Sequence, residues 1–84
     1  MNIDYSPNFK RQYKKLPLVT RDLAKKKIKM FITDPFDSAL KTHKLHGILD
    51  GYWAFSVDAR YRIVFGFIAN TARFHRIGDH TIYR

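Results

Sequence analysis

Residues 52–68 read Tyr52-Trp53-Ala54-Phe55-Ser56-Val57-Asp58-Ala59-Arg60-Tyr61-Arg62-Ile63-Val64-Phe65-Gly66-Phe67-Ile68, and this stretch decides the fold. Successive side chains of a strand point to opposite faces. Over 52–58 that puts Trp53, Phe55 and Val57 on one side and Tyr52, Ala54, Ser56 and Asp58 on the other. Over 61–68 it separates Tyr61, Ile63, Phe65 and Phe67 from Arg62, Val64, Gly66 and Ile68. Asp58-Ala59-Arg60 reads as the tight turn between them. Downstream, Asn70-Thr71 forms a second turn, and Arg73 to Ile77 a third strand ending at Gly78. Three short strands with short links predict an antiparallel meander with one apolar face. Arg62 falls on the opposite face, where it either contributes to a basic surface or stands as an ordinary exposed strand arginine.

Upstream the period changes. Ile3, Asp4 and Tyr5 suit a short leading strand, and Ser6-Pro7 reads as a helix start, with Ser as N-cap and Pro at the first helical position. Phe9, Tyr13 and Leu16 recur at i, i+4 and i+7, and Pro17 separates this helix from the next. From Leu18 to Thr33 a second helix places Val19, Leu23, Ala24, Ile28, Phe31 and Ile32 on one side. Arg21, Lys25 and Lys29 follow at i+4 on the other, with Lys26 beside them. Asp34-Pro35 stops it, and 35–51 is loop-like. Two antiparallel helices with a basic outer face, covering the apolar face of the meander, follow from the pattern. The 84 residues form a single domain, 1–84.

Charge is concentrated. The chain carries a net +9, and between Lys10 and Lys29 nine basic residues face one acid, Asp22, which leaves +8 in that segment. Such a face attracts polyanions and releases their counterions, so nucleic acid or an acidic protein is the natural partner. Lys25 and Lys29, at its centre, are candidate RNA contacts. Aromatic residues make up 15% of the sequence, too many for a disordered tail. No apolar run approaches the ~20 residues of a membrane span. Met1 to Pro7 lacks a basic-then-apolar signal pattern, so a cytoplasmic location with no membrane association is expected.

The absence of cysteine removes disulfides, thiolate zinc sites and cysteine nucleophiles. All seven acids are Asp, which limits carboxylate bases to short side chains. His43 and His46 are spaced i, i+3, but without Cys or a neighbouring Glu they make a poor zinc site, and no metal or other cofactor is expected. No nucleophile-elbow serine and no phosphate-cradling glycine loop is present. His75, inside a strand, reads as structural. The closing Gly78-Asp79-His80-Thr81-Ile82-Tyr83-Arg84 is poor core material. It offers an acid or base in His80, an aromatic platform or hydroxyl in Tyr83, and an anion contact in Arg84.

This inventory suits metal-free RNA cleavage. There the RNA's own 2′-hydroxyl attacks the adjacent phosphorus. The protein must accept that proton, stabilise the crowded phosphorane and protonate the leaving 5′-oxygen. His, Arg, Lys and Tyr suffice.

The order and spacing of these motifs resemble the RelE/ParE superfamily of bacterial toxins over nearly the whole length. The resemblance runs from Ser6-Pro7-Asn8-Phe9 and the basic helices through His43-Lys44-Leu45-His46-Gly47 and 51–58 to Tyr61-Arg62-Ile63-Val64-Phe65 and the terminal Gly-Asp-His…Tyr. It implies an α+β fold, with an N-terminal strand and a two-helix hairpin packed on a mainly antiparallel β-sheet. It points to the RelE, YafQ and YoeB-like branch of mRNA endonucleases acting at the ribosome. In that comparison His80 is general acid or base, Arg62 stabilises the transition-state phosphate and Tyr83 stacks on or orients the substrate. His43 is the second proton-transfer group, and Lys44, His46 and Arg60 are supporting phosphate contacts. Ser56 stands where YafQ-like toxins have a second histidine, Arg60 where they have Asp, and the Glu of YoeB-like toxins has no counterpart.

Two other readings stay open. A ParE-like DNA gyrase inhibitor would act by binding alone, and a non-enzymatic nucleic-acid-binding module would use only the basic hairpin. A domain this small buries only about 60% of its unfolded surface and is marginal alone. An acidic, partly disordered cognate antitoxin, together with mRNA and the ribosome, completes the expected partners.

Overall fold

The computed structural model describes residues 1–83. Five strands form one sheet: β1 (Asn2–Tyr5), β2 (His43–Lys44), β3 (Trp53–Ser56), β4 (Arg62–Ile68) and β5 (Thr71–Gly78), in the order β1-β5-β4-β3-β2. The β3-β4-β5 meander is antiparallel as its alternation predicts, and β1 joins it parallel to β5. Helices α1 (Pro7–Lys14) and α2 (Leu18–Thr33) cover one face. Among the described residues, no helix is long and apolar enough to cross a membrane.

Local chemistry sets the element bounds. The Ser6 hydroxyl accepts from Phe9 N at 3.0 Å, Pro7 takes the first helical position, and Ser6 Oγ donates to the His75 carbonyl at 2.9 Å. One residue thus caps α1 and ties it to β5. At the β3–β4 turn, Asp58 Oδ1 accepts from the backbone N of Arg60 and Tyr61, which closes the link between the two strands.

The core is aromatic. Phe31 of α2 stacks on Phe55 at 4.8 Å and meets Phe65 and Phe74 edge-on at 4.8 and 5.3 Å. Phe9 of α1 adds to it against Phe74 at 5.6 Å. Edge-to-face and offset pairs of this kind add about 0.5–1.5 kcal/mol each beyond their area burial. Removing Phe31 would forfeit three at once.

Several sequence expectations are corrected. Val19 and Ile32 are 82% and 42% exposed, because α2 buries only Ala24, Ile28 and Phe31. The second hairpin turns on Ala69 and Asn70, since Ile68 pairs with Thr71, and Ala69 takes a left-handed φ of 53°. The 35–51 loop contains the two-residue strand β2, 3₁₀ turns at Ser38–Leu40 and Gly47–Leu49, and the fully buried Leu40. The outer face of the sheet, away from the helices, is not simply polar: Ala54, Ser56, Val64 and Gly66 are buried there.

Candidate functional site

Arg62 and His43 share the outer face, and a fold-back of the C-terminus brings the segment carrying His80 and Tyr83 beside Arg62. After β5 the chain forms a 3₁₀ turn, His80–Tyr83. Asp79 initiates it by accepting from Thr81 N at 3.0 Å and from the Thr81 hydroxyl at 2.7 Å. These bonds, with the nearby charges of His80 and Arg60, hold the Asp79 carboxyl below its ordinary range. Ile82 then lies on Gly78, where a β-carbon would come within 2.3 Å of Ile82 Cγ2. Arg76 Nη1 donates to the Ile82 carbonyl at 2.8 Å. The tail is therefore not the poor core material its composition indicates: Ile82 is 8% exposed.

Gly78 pairs with Arg62 across β4–β5, so the docked turn lies beside Arg62. Arg62 is half-buried, and its Nη1 donates to the carbonyls of Asp58 and Tyr61, which pins the guanidinium over the β3–β4 turn. Tyr83 lies within electrostatic reach of it. Burial pushes the Tyr83 hydroxyl above its ordinary value while the Arg62 charge pulls it back. The phenol therefore stays protonated at neutral pH and is available as a hydrogen-bond donor. His80 is exposed at the head of the same turn, and Arg60, stacked over Tyr61 at 5.4 Å, reaches the field of Asp79.

His43 approaches from the other side. It pairs with Ala54, so it shares the outer face with Ser56 and Arg62, and its Nδ1 lies 2.9 Å from the Lys41 carbonyl. When that nitrogen carries the proton, Nε2 is left as the acceptor. Strand spacing and rise put the His43 and Arg62 backbones about 12 Å apart, with the small Ala54 and Ser56 between them. Ser56 is the cross-strand partner of Arg62.

The other candidates are not brought together. Lys44 pairs with Trp53 and holds its ammonium 5.4 Å from the Trp53 ring, on the helix side of the sheet. His46 is exposed and precedes the Gly47–Leu49 turn. Lys25 and Lys29 border a groove of about 500 Å³ between α1 and α2, opposite the Arg62 face. Arg84 lies outside the described residues. Among the described residues no group of three or more His, Cys, Asp or Glu is placed to hold a metal ion.

Sequence reasoning missed Gly78, Ile82 and Arg76, which seat the tail. It also missed the irregularity in β5, where Val64 pairs with Arg76 and Phe65 with Phe74. The extra residue, His75, leaves His75 and Arg76 on the same face. The only sequence signal was the glycine at the end of the third strand.

No family model and no curated protein matches the sequence. Solved structures match over nearly its whole length. YafQ from E. coli strain BL21(DE3) superposes with a TM-score of 0.78 at 21% identity, over 98% of this chain and 96% of that one. A YoeB/ParE toxin from Agrobacterium tumefaciens gives 0.80 at 18%, over 95% and 99%. A chain of the E. coli DinJ-YafQ toxin-antitoxin complex gives 0.74 at 26%, over 96% and 93%. The chain has the fold of these YafQ and YoeB/ParE toxins, two helices on a five-stranded, mainly antiparallel sheet, as the resemblance of its motifs to the RelE/ParE superfamily implied.

Proposed function

We propose that this protein is the toxin of a toxin–antitoxin pair and cleaves mRNA at the ribosome, in the cytoplasm, without a metal. The observation that supports the reading is the docked tail: it brings the turn that carries His80 and Tyr83 beside the strand that carries the pinned Arg62, with Tyr83 within electrostatic reach of that cation and His43 on the same face.

The roles follow from the chemistry of each group. Arg62, held by two carbonyls, offers its remaining N–H groups to the non-bridging oxygens, where negative charge grows as the 2′-oxygen attacks. A preorganised cation is worth more in this role than a mobile one, because no reorganisation accompanies the reaction. His80 and His43 form the acid–base pair. One imidazole removes the 2′ proton, and the other protonates the departing 5′-oxygen, leaving a 2′,3′-cyclic phosphate and a free 5′-hydroxyl. Tyr83 orients the phosphate or stacks on a base, and Arg60 adds positive charge at the rim. Ser56, in place of an imidazole, provides space beside Arg62 and no proton transfer.

The partner reading rests on the opposite side of the molecule. The groove between α1 and α2 has an apolar floor of Phe9, Tyr13 and Ile28 and a rim of Lys10, Lys14, Lys25 and Lys29. This suits an amphipathic acidic segment, apolar side down and carboxylates outward. The solved E. coli DinJ-YafQ toxin-antitoxin complex contains a chain of the same fold.

The test is transcript integrity. The expressed chain should cut mRNA in a translating extract, with His80→Ala and Arg62→Ala each slower by roughly 10²–10⁴. Intact transcripts with the wild-type chain, in extract and in cells, overturn the nuclease reading. DNA-damage signalling with intact mRNA would point to gyrase instead.

A further inference from the structure

A second concavity opens on the outer face, one step along the strands from the site. Val64 follows Arg62 by two residues on β4, and Arg76 precedes Gly78 by two on β5, so the cavity adjoins the Arg62–Gly78 pair. Its volume is about 220 Å³, and Asn8, Leu49, Tyr52, Val64, His75 and Arg76 are among the residues that line it. Sites for drug-sized ligands start near 300 Å³, so this one takes a single planar ring system, not a whole nucleotide. We propose that it receives one nucleobase of the RNA, that of the nucleotide next to the cleaved bond.

The lining chemistry favours a base over a phosphate. Tyr52 and His75 meet edge-to-face at 4.9 Å, and both lie over Gly66, where a β-carbon would approach Tyr52 Cδ1 at 3.6 Å and His75 Nε2 at 3.7 Å. An aromatic wall over a glycine, with an aliphatic floor, matches the apolar faces of a base. Burial, with the adjacent Arg73 and Arg76 charges, keeps the His75 imidazole below its ordinary value and hence neutral at pH 7. A neutral imidazole and the Asn8 amide read donors and acceptors on a base edge; an anion would call for more cations than this wall supplies. Arg76 is already engaged with the Ile82 carbonyl, so it joins the cavity wall to the docked tail. A base seated here lies on the same strand pair as Arg62, so its phosphate stays on the face that carries that cation.

The inference rests on the RNA-cleavage reading but is tested by binding. The probe is a short RNA with a 2′-O-methyl group at the blocked bond and 2-aminopurine at successive positions, titrated against the full chain. One position beside the blocked bond should lose fluorescence on binding. Tyr52→Ala should abolish that loss and weaken binding about 5- to 150-fold, the range for losing one base–aromatic stack. Tyr52→Phe should restore both, which separates stacking from misfolding, and thermal melts of all three chains check the fold. Equal quenching at all positions, no quenching, no binding, or wild-type behaviour of a folded Tyr52→Ala chain would each overturn the proposal. Cleavage of mRNA in a translating extract is scored separately, so a chain that binds and quenches but leaves those transcripts intact disproves the nuclease reading and leaves the base site standing.

Discussion

The Ile82 side chain occupies the space that a β-carbon on residue 78 would need, with Cγ2 2.3 Å from that position. The contact is possible because residue 78 is glycine. Through it the only segment that carries both His80 and Tyr83 is folded onto the strand pair that carries Arg62. A packing detail at the end of β5 thus seats the turn that carries His80 beside the strand that carries Arg62.

Gly78→Ala tests that dependence directly. The new methyl collides with a buried, β-branched side chain, so the turn must lift, at an overpacking cost of about 1–3 kcal/mol. The sheet and helices do not depend on the turn and should keep their circular dichroism. Cleavage should fall nearly as far as in His80→Ala, roughly 10²-fold or more. Ile82→Ala in the same chain removes the colliding atoms, so partial recovery of cleavage in the double variant is the expected signature.

Much of this was legible locally, and the missing parts are non-local. Ser6-Pro7 announced α1, and α2 runs over the predicted Leu18 to Thr33 because its bounds are marked by Pro17 and Asp34-Pro35. Alternation located β3, β4 and β5. It did not reveal β2, which is two residues long and exists only by pairing with β3. Because that pairing is invisible in the sequence, neither was the side taken by His43 or by Lys44. Val19 and Ile32 share the apolar side of α2 yet stay exposed, because apolar periodicity describes a stripe and not the width of the layer beneath it. The residue irregularity at His75 and the seating of the tail depend on contacts between distant segments, and periodicity carries no information about those.

Arg62→Lys should behave almost as badly as Arg62→Ala. The guanidinium holds the Asp58 and Tyr61 carbonyls with one nitrogen and keeps others for a phosphate. An ammonium on a flexible stem is a single point charge and cannot do both in a fixed geometry. The expected loss in kcat is about 10²–10³, the range for removing one preorganised transition-state contact, with little change in KM. Single-turnover kinetics on a short RNA measure it.

Acidification should destabilise the fold through His75. Its folded-state value is lowered by burial first, then by the charges of Arg73 and Arg76, against a smaller opposing effect of Asp4. The unfolded chain therefore binds the proton first as pH falls. Stability attributable to the neutral ring is complete above roughly 6.5, the unfolded value, and is lost as pH drops through the lower folded value. Thermal melts from about pH 7.5 down to about pH 5 should show wild type falling more steeply than His75→Gln, which has no proton to gain over that range. Parallel curves would remove His75 as the source.

The groove between α1 and α2 lies on the opposite side of the sheet from Arg62. Ile32 lies on its border and is 42% exposed, so Ile32→Asp places a charge at the edge of the apolar floor without disturbing the Phe31 core. An acidic amphipathic partner should lose at least about tenfold in affinity, since a buried apolar contact is exchanged for a like charge. Lys25→Glu with Lys29→Glu should slow association and flatten its salt dependence, because rim charges act mainly on encounter. Cleavage of a short RNA confined to the Arg62 face should survive Ile32→Asp. The lysine pair decides a further point, because both residues also qualified as RNA contacts from sequence. If their reversal weakens cleavage of ribosome-bound mRNA but not of the short RNA, the basic helices hold the ribosome while the opposite face cuts. If it weakens both equally, the RNA path must wrap from one side of the sheet to the other. Titration of a synthetic acidic helical peptide, followed by both cleavage assays on the same variants, distinguishes these outcomes.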